Sequence, residues 1–337
     1  MSAPQGTMLS SAAQRRAEAL GLKLGRPNLE VFAATLLEMA RTDRNLLVVT
    51  SDSRGSGKLV PFGQELPEQI IEVGIAEQNL VGIAAGLSAA GKNVFAVSPA
   101  CFLTARALEQ IKNDVAYSDH PVTLVGISAG VSYGALGSTH HSLHDLASLR
   151  AIHNVEIVVP ADNRETKAAV KAAAHATYPV YLRFGKAPLY DLPVERTEYD
   201  PRRATTLHDG CDIAFIATGE TVVHALLAAA ELAERDGISC RVLSMPTVRP
   251  LDEQAVLCAA AECRAILTVE EHMVHGGLGE ACAALLMEHG ARARFRIVGI
   301  PDEYTVTGSQ ADIFRHYGVS MEGLTQTARH LLNGAAG

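Results

Sequence analysis

The sequence predicts an α/β protein of two domains, each a parallel sheet between two layers of helices. Three observations support this prediction. The chain has 337 residues, enough for two domains of ordinary size. Short apolar runs alternate with longer amphipathic segments, which is typical of parallel α/β sheets. The alternation weakens near residues 186–210 and then resumes, so a linker at 191–210 is expected to divide the chain.

The first domain is expected to span residues 26–190. Its strands are predicted at 46–50, 69–73, 93–97, 122–127, 155–159 and 180–184, where apolar and β-branched residues dominate. Its helices are predicted at 28–41, 76–90, 103–117 and 163–176. Two Gly-rich loops, 51–58 and 128–141, follow predicted strands. Residues 1–25 are expected to be a tail, which is either frayed or forms a loosely docked helix.

The second domain is expected to span residues 211–337. Its strands are predicted at 212–219, 238–243, 264–269 and 294–298. Its helices are predicted at 221–235, 252–261 and 277–289, and a last helix follows Gly318. Because strands and helices alternate again, the same parallel α/β arrangement is predicted.

The bulk composition excludes several classes of protein. The net charge is −8 without any basic stripe, so nucleic acid is not expected as a partner. No uncharged apolar run reaches the roughly 18 residues that a membrane-spanning helix needs, so no membrane partner is expected. Arg15 and Arg16 are not followed by an apolar stretch, which argues against a secretory signal. Six scattered cysteines without a Cys-x-x-Cys pair predict reduced thiols in a cytoplasmic protein.

The run Gly74-Ile75-Ala76-Glu77-Gln78-Asn79 is the most informative segment of the chain. It places a carboxylate where a predicted strand turns into a helix, where a lone Glu usually only complements the helix dipole. The run resembles the Gly-Ile-x-Glu-Gln-x segment of the transketolase family. That resemblance implies that Glu77 hydrogen-bonds the aminopyrimidine of thiamine diphosphate and stabilises its imino tautomer. Glu77 is therefore the expected cofactor-activating residue.

Two further segments extend the resemblance to the cofactor pocket. Residues 98–104 resemble the family segment whose aromatic residue lies against the pyrimidine ring, which implies that Phe102 stacks on the cofactor. The sequence also allows Phe102 to be a core residue under the sheet. Asp52 resembles the family's Asp after the first strand, which implies a structural role or a position close to the thiazolium ring.

The segment Gly134-Ala135-Leu136-Gly137-Ser138-Thr139-His140-His141 resembles the Gly-x-Asp-Gly-x-Thr-His loop of transketolases and deoxyxylulose-phosphate synthases. The resemblance implies that His140 contacts sugar hydroxyls and assists proton transfer, work that suits a neutral imidazole. Leu136 stands where many transketolases carry an Asp that binds a substrate hydroxyl. Because losing such a group commonly changes specificity, we expect Leu136 to influence which sugar is preferred.

Two further sequence patterns could form ion-binding sites, one for a metal ion and one for an anion. His140 and His144 are four residues apart and Asp145 follows, a spacing that can place two imidazoles on one helical face, although no third metal ligand is obvious. Residues 276–279, Gly-Gly-Leu-Gly, open a predicted helix and could bind an anion. Two glutamates shortly before this segment disfavour a phosphate.

An anionic substrate tail is expected to be held by basic residues of the first domain. Arg183 matches the family's Ser-Arg-type position after the last strand of the domain. Its guanidinium suits a phosphate or a sulfonate. Arg26 and Ser56 lie near positions where related enzymes hold the sugar phosphate. For Arg26, a solvated surface charge is the alternative.

The resemblance covers residues 26–330 and also implies what this chain lacks. A complete thiamine enzyme of this family holds the diphosphate through a divalent metal, with a Gly-Asp-Gly motif that does not occur here. The resemblance therefore implies a split enzyme whose partner, an N-terminal diphosphate-binding subunit, holds Mg²⁺ or Ca²⁺. The expected assembly is a two-plus-two heterotetramer with the cofactor across the interface.

The activity that the resemblance implies is transfer of a two-carbon ketol unit from a phosphorylated or otherwise anionic ketose to an aldose. One alternative is the beta subunit of the decarboxylating component of a 2-oxoacid dehydrogenase, which shares this architecture. Another is a non-catalytic paralogue that only pairs with a diphosphate-binding subunit. The retained Glu77 argues against the second alternative.

Overall fold

The computed structural model describes residues 8–194 and 200–334, which form two α/β units. The elements of the first unit, in chain order, are α1 (Ser11–Ala19), β1 (Leu24–Pro27), α2 (Asn28–Ala40), β2 (Leu46–Thr50), α3 (Val60–Glu65), β3 (Ile70–Glu72), α4 (Glu77–Ala89), β4 (Asn93–Pro99), α5 (Ala100–Arg106), α6 (Leu108–Gln110), β5 (Val122–Ile127), α7 (Asp145–Arg150), β6 (Glu156–Val158), α8 (Asn163–Ala174), β7 (Val180–Arg183) and β8 (Pro188–Tyr190). A π-helical segment, Ile111–Tyr117, follows α6.

The second unit repeats the alternation of strands and helices. Its elements are β9 (Thr205–His208), β10 (Ile213–Ala217), α9 (Thr221–Asp236), β11 (Cys240–Ser244), β12 (Thr247–Arg249), α10 (Glu253–Glu262), β13 (Ala265–Met273), α11 (Leu278–Glu288), β14 (Arg294–Ile300), α12 (Gln310–His316) and α13 (Met321–Asn333). In the described part of the chain, no helix is both long enough and apolar enough to cross a bilayer.

Both large sheets are parallel except at one edge. The first has the order β12-β6-β7-β5-β4-β2-β3, and only β12 runs antiparallel to its neighbour. The second has the order β14-β13-β10-β11-β9, and only β9 is antiparallel. Central strands such as β5 are buried along their whole length because helices cover both faces. This double burial explains why these strands are continuous apolar runs in the sequence.

Three predicted boundaries differ from the structure because strand pairing and helix docking act over long distances. The predicted tail contains β1 and the docked helix α1, whose Ala13 and Ala17 are buried against the second unit. The predicted linker contains β8, which pairs with β1, and β9, an edge strand of the second sheet. Residues 195–199 of that linker lie outside the described part. Strand β12 follows β11 in the chain but completes the sheet of the first unit.

The predicted helix over 103–117 is broken into shorter pieces. Helix α5 begins at Ala100, directly after β4, and ends where Ala107 leaves helical geometry with φ −102° and ψ 18°. The chain then continues through α6 into the π-helical segment. The break separates Phe102 and Arg106, both in α5, from the rest of the predicted helix.

Candidate functional site

The candidate site lies at the carboxyl edge of the first sheet. Strands β3, β4, β5 and β7 are parallel, so the segments that follow them emerge on the same side. These segments carry Glu77, Phe102, His140 and Lys186, respectively. In open α/β sheets, ligands bind in the crevice outside the carboxyl ends of the strands. The topology thus gathers residues from four distant parts of the sequence.

Glu77 is the first residue of α4, and its side chain is only 3% exposed. Its Oε2 accepts a hydrogen bond from Nη1 of Arg106 at 2.9 Å. The residue lines an open cleft of ≈ 700 Å³ together with Arg106 and residues 75–79. On the rim, Ile75 is 74% exposed, which is unusual for a large apolar side chain. A nearly buried carboxylate therefore borders a space large enough for a ligand.

Phe102 and His140 continue the row that begins at Glu77. The guanidinium carbon of Arg106 lies 4.4 Å from the centre of the Phe102 ring, a cation–π distance. The rings of Phe102 and His140 are 5.4 Å apart and meet edge to face at 70°. The structure thus brings Glu77, Phe102 and His140 together, with Arg106 between the first two.

His140 ends the short 3₁₀ turn Gly134–Thr139 and is half-buried. Its Nδ1 lies 2.9 Å from the hydroxyl of Thr139, while among the described residues its Nε2 makes no hydrogen bond. The ring of Tyr133 packs against it at 5.2 Å and 68°. The imidazole is therefore held by its neighbours on one side, and one ring nitrogen remains for a ligand.

A basic cluster that the sequence did not assign lies beyond Tyr133. The ammonium of Lys186 is 4.0 Å from the centre of the Tyr133 ring. Burial lowers the pKa of Lys186, and the nearby charge of Lys58 lowers it further. Burial raises the pKa of the Tyr133 hydroxyl, while Ser128 and Ser56, which lie close to it, oppose the rise. Two ammonium groups and several hydroxyls therefore meet at this end of the site.

Arg183 does not belong to this open cluster, so the sequence prediction for it needs correction. The residue is 6% exposed, and its Nε donates to Oδ2 of Asp145 at 2.7 Å. Its Nη2 donates to the backbone oxygens of Glu271 at 2.9 Å and Ser142 at 3.2 Å. Burial alone would raise the pKa of Asp145, but the charge of Arg183, the neighbouring His272 and the hydrogen bonds from Arg183 and Tyr181 together lower it. The guanidinium of Arg183 thus binds groups of both units inside the protein.

The remaining predicted residues lie at the edge of the site or outside it. Arg26 is exposed, and its backbone exchanges two hydrogen bonds with the side-chain amide of Asn163. Asp52 is exposed at the end of β2 with φ 50°, and its N–H donates to Glu72 at 2.6 Å. Leu136 is 56% exposed on the turn that precedes His140.

The histidine pattern does not form a metal site in the described residues, where no group of three or more His, Cys, Asp or Glu side chains could hold a metal ion. Nε2 of His144 lies 3.4 Å from the hydroxyl of Thr104. Asp145 is fully buried against Arg183. The three residues that are close in sequence therefore serve different partners.

The Gly-rich start of α11 is closed to an external anion. Glu270 accepts the N–H groups of Leu278 at 2.7 Å and Gly279 at 2.8 Å. Its carboxylate thus occupies the place that an anion would take at a helix N-terminus. The adjacent His272 is fully buried, with Nδ1 2.7 Å from the Met273 oxygen, so it also lies outside the cleft.

Both parts of the chain match known protein families. Residues 27–190 match the family described as transketolase, pyrimidine binding domain. Residues 202–324 match the family described as transketolase, C-terminal domain.

Similar curated proteins and structures cover nearly the whole chain. A subunit of apulose-4-phosphate transketolase from Phocaeicola vulgatus is 49% identical over 88% of this chain and 95% of its own. The subunit of the same name from Actinobacillus succinogenes is 37% identical over 89% and 97%. A solved structure described as "Split gene transketolase, inactive beta4 tetramer" has a TM-score of 0.83 and 33% identity, and it covers 92% of this chain and 99% of its own.

Proposed function

The chain belongs to the transketolase family, and we propose that it completes the active site of a split transketolase with a diphosphate-binding partner subunit. It is a ketol-transferring enzyme that acts with a partner subunit, as its similarity to split transketolase subunits shows. This similarity favours ketol transfer over a 2-oxoacid dehydrogenase subunit and over a non-catalytic paralogue. Family membership implies dependence on thiamine diphosphate.

The row of Glu77, Phe102 and His140 beside the open cleft carries the proposal. Its donor set fits an aminopyrimidine, because a nearly buried carboxylate stands next to an aromatic ring that can cover a flat heterocycle. Glu77 would hydrogen-bond the pyrimidine nitrogen and Phe102 would lie against the ring. When bound, thiamine diphosphate supplies a carbanion nucleophile and an electron sink for the two-carbon fragment. Asp52, at the end of the neighbouring strand β2, borders the same edge.

The residues of this chain have separate tasks around the transferred group. His140 presents Nε2 for a hydroxyl of the sugar and can hold or accept its proton, since Thr139 and two aromatic rings fix its orientation. Ile75 and the residues beside it would exclude water once the partner subunit covers them. The Arg106 side chain must move so that a ligand can contact both Glu77 and Phe102.

The anionic end of the substrate is assigned to Lys186 and Lys58, with Ser56 and Tyr133 as hydroxyl donors, in place of Arg183. Burial and, to a smaller extent, the charge of Lys58 disfavour the charged form of Lys186 and lower its pKa, while Lys58 itself is paired with Glu30 at 3.4 Å. An anion between Lys186 and Lys58 would offset the repulsion of their charges and gain two favourable charge contacts. Arg26, whose backbone is hydrogen-bonded to the Asn163 amide, stays a second candidate for this anion.

The relatives guide the choice of donor. Two of them are named as subunits of an apulose-4-phosphate transketolase, so we propose a phosphorylated ketose as donor and apulose 4-phosphate as the first to examine. Leu136, exposed next to His140, would shape the preference because it offers no hydrogen bond to a hydroxyl.

The partner is proposed to hold Mg²⁺ or Ca²⁺ and the diphosphate in a two-plus-two heterotetramer. Support comes from the missing Gly-Asp-Gly motif and from the absence of a metal-binding group in the described residues. A similar structure is described as an inactive beta4 tetramer, which agrees with the need for a second subunit type. All six cysteines are free thiols, which supports a reducing, cytoplasmic setting.

Reconstitution tests the proposed function. The chain would be mixed with its diphosphate-binding partner, thiamine diphosphate and Mg²⁺, and assayed for ketol transfer from a panel of ketose phosphates and the corresponding free ketoses. We expect transfer only with both subunits and with phosphorylated donors preferred. Decarboxylation of a 2-oxoacid, or no transfer from any ketose by a complex that forms and binds the cofactor, would contradict the proposal.

A further inference from the structure

Two buried carboxyl groups of the second unit contact the backbone of the segments that carry the substrate end of the site. Glu220 precedes α9 and Glu271 lies in β13; they are 7% and 3% exposed. Oε1 of Glu271 accepts the N–H of Val131 at 2.9 Å. A Cβ placed on Gly130 would lie 2.1 Å from the Glu271 carboxyl carbon, and one on Gly185 would lie 1.8 Å from Oε1 of Glu220. Both positions therefore require glycine, because each carboxyl group lies too close to the backbone for a Cβ atom.

One amide joins the two carboxyl groups. Nε2 of Gln310, the first residue of α12, donates to Oε2 of Glu220 and to Oε1 of Glu271. Among the described residues, Oε1 of Glu220 has no hydrogen-bond partner although it is buried. Two neighbouring buried carboxylates are costly when both are ionised, so such pairs retain a proton.

The surrounding charges do not remove this cost. Burial, together with the charge of Glu271, raises the pKa of Glu220 to about 8. Burial raises the pKa of Glu271 to about 7 and Asp145 adds to the rise, while Arg183 opposes it for both residues. Arg183 is already paired with Asp145, which Tyr181 and the neutral His272 also face. The charge of Arg183 is thus shared among Asp145, Glu220 and Glu271, and it also acts on Glu270.

The two contacted segments are those on which substrate binding is proposed to depend. Gly130 and Val131 begin the loop that carries Tyr133 and His140, and Gly185 precedes Lys186. We propose that Glu220 and Glu271 are positioning residues, which share one retained proton and thereby hold these two segments in the arrangement that binds the substrate. The inference rests on the proposed function for its activity readout, but the loop itself can be observed without any activity.

Loss of the proton should loosen the substrate end of the site. With both groups ionised, the charges repel across Gln310 and draw water into the contact with Gly130 and Gly185. The loop and the Lys186 turn would then sample other positions, so the KM for the ketose phosphate should rise with pH. The kcat should fall to a smaller extent, because the loop also carries His140 but Glu77 lies at the opposite end of the row.

The test compares Glu220→Gln and Glu271→Gln with the unchanged protein in the reconstituted complex, from about pH 6.5 to about pH 9.5. Gln imitates the protonated carboxyl, so we expect the KM of the unchanged protein to rise by roughly threefold to tenfold above pH 8 and that of the variants to rise less. The pKa of Lys186 is lowered by burial and by Lys58, but this contribution is the same in all the proteins and cancels in the comparison. Glu270→Gln is the matched control, since burial raises the pKa of Glu270 to about 7 but its carboxylate accepts the N–H groups of Leu278 and Gly279 at the start of α11, not of the two contacted segments.

Hydrogen exchange of the Val131 amide provides the second measurement. We expect its protection, corrected for the intrinsic rate, to fall above pH 8 in the unchanged protein and to persist in the variants. The inference is wrong if the KM of Glu220→Gln and Glu271→Gln rises with pH as steeply as that of the unchanged protein. It is also wrong if Glu270→Gln reduces the rise as much as these two variants do. If the variants do not fold, constant protection of Val131 across this pH range in the unchanged protein overturns it. A protein without ketol transfer but with pH-dependent protection of Val131 would refute the proposed function alone.

Discussion

The guanidinium of Arg106 donates to the carboxylate of Glu77 at 2.9 Å and covers the ring of Phe102 at 4.4 Å. One side chain thus satisfies a nearly buried carboxylate and covers an aromatic ring. The two groups proposed to receive the aminopyrimidine are joined through this guanidinium.

Glu77→Gln should abolish most of the ketol transfer while leaving the fold intact. Gln keeps the shape but cannot share a proton with the cofactor, so we expect kcat to fall by about 10²- to 10⁴-fold. The measurement is steady-state ketol transfer by the reconstituted complex, with circular dichroism to verify folding. Glu68→Gln, an exposed carboxylate on the preceding 3₁₀ turn, is the control and should leave kcat unchanged. Full activity in Glu77→Gln would remove the central residue of the proposal.

Arg106→Ala should destabilise the free chain by about 1 kcal/mol, because Glu77 stays buried without its partner while the half-exposed Arg106 is partly replaced by water. Urea unfolding of the isolated chain measures the change. Arg41→Ala is the matched control, since Arg41 and Glu65 form an exposed ion pair and little measurable change is expected. An equal effect of both variants would mean that the burial of Glu77 is not what makes the Arg106 contact matter.

Lys186→Met should weaken binding of phosphorylated donors and leave kcat nearly unchanged. Loss of a partly buried charge contact should raise their KM by roughly tenfold or more, whereas the KM of the unphosphorylated ketose should not change. The KM of the unchanged protein should also rise with salt. Lys92→Met, at the opposite, amino end of β4, serves as the control. A similar loss for both kinds of donor would show that Lys186 does not recognise the anion.

Arg183→Met should destabilise the protein by roughly 3–5 kcal/mol, since it leaves Asp145 buried without a counter-charge. The double variant Arg183→Met with Asp145→Leu should recover part of this loss, because both charges are then absent. Thermal or urea unfolding of the unchanged protein, Arg183→Met and the double variant measures the loss and its recovery. A stable Arg183→Met protein whose only defect is a raised KM would restore the anion-binding role that the sequence predicted.

His224 should make the protein sensitive to acid. Burial lowers its pKa to about 4, and among the described residues neither ring nitrogen has a hydrogen-bond partner. The unfolded chain therefore binds this proton more readily, so the stability contribution is complete above about pH 6.5 and is lost as pH falls toward 4. His224→Leu should flatten the loss of urea stability between these values, whereas exposed His153→Leu should not. A parallel decline in both variants would assign the acid sensitivity to other groups.

Local sequence determined the helices and strands and the part of the site formed by Glu77 and His140. Amphipathic periods predicted the helices such as α2, α4 and α8 to within a few residues, because an exposed face and a buried face alternate along each one. The turn at Glu77 and the loop at His140 are short motifs whose residues are adjacent in the chain. A resemblance to a known family can therefore identify them without any knowledge of the fold.

The tertiary structure decided which basic residue faces solvent and which is enclosed. Arg183 and Lys186 are three residues apart, yet the first pairs with Asp145 inside the protein and the second lies over Tyr133. The direction of a side chain after a strand depends on what the second unit packs against it, and a local pattern does not contain that information. The pairing of β1 with β8 and of Glu220 with Glu271 through Gln310 joins segments far apart in the chain for the same reason. Such contacts exist only after distant elements have been brought together by burial of their apolar faces.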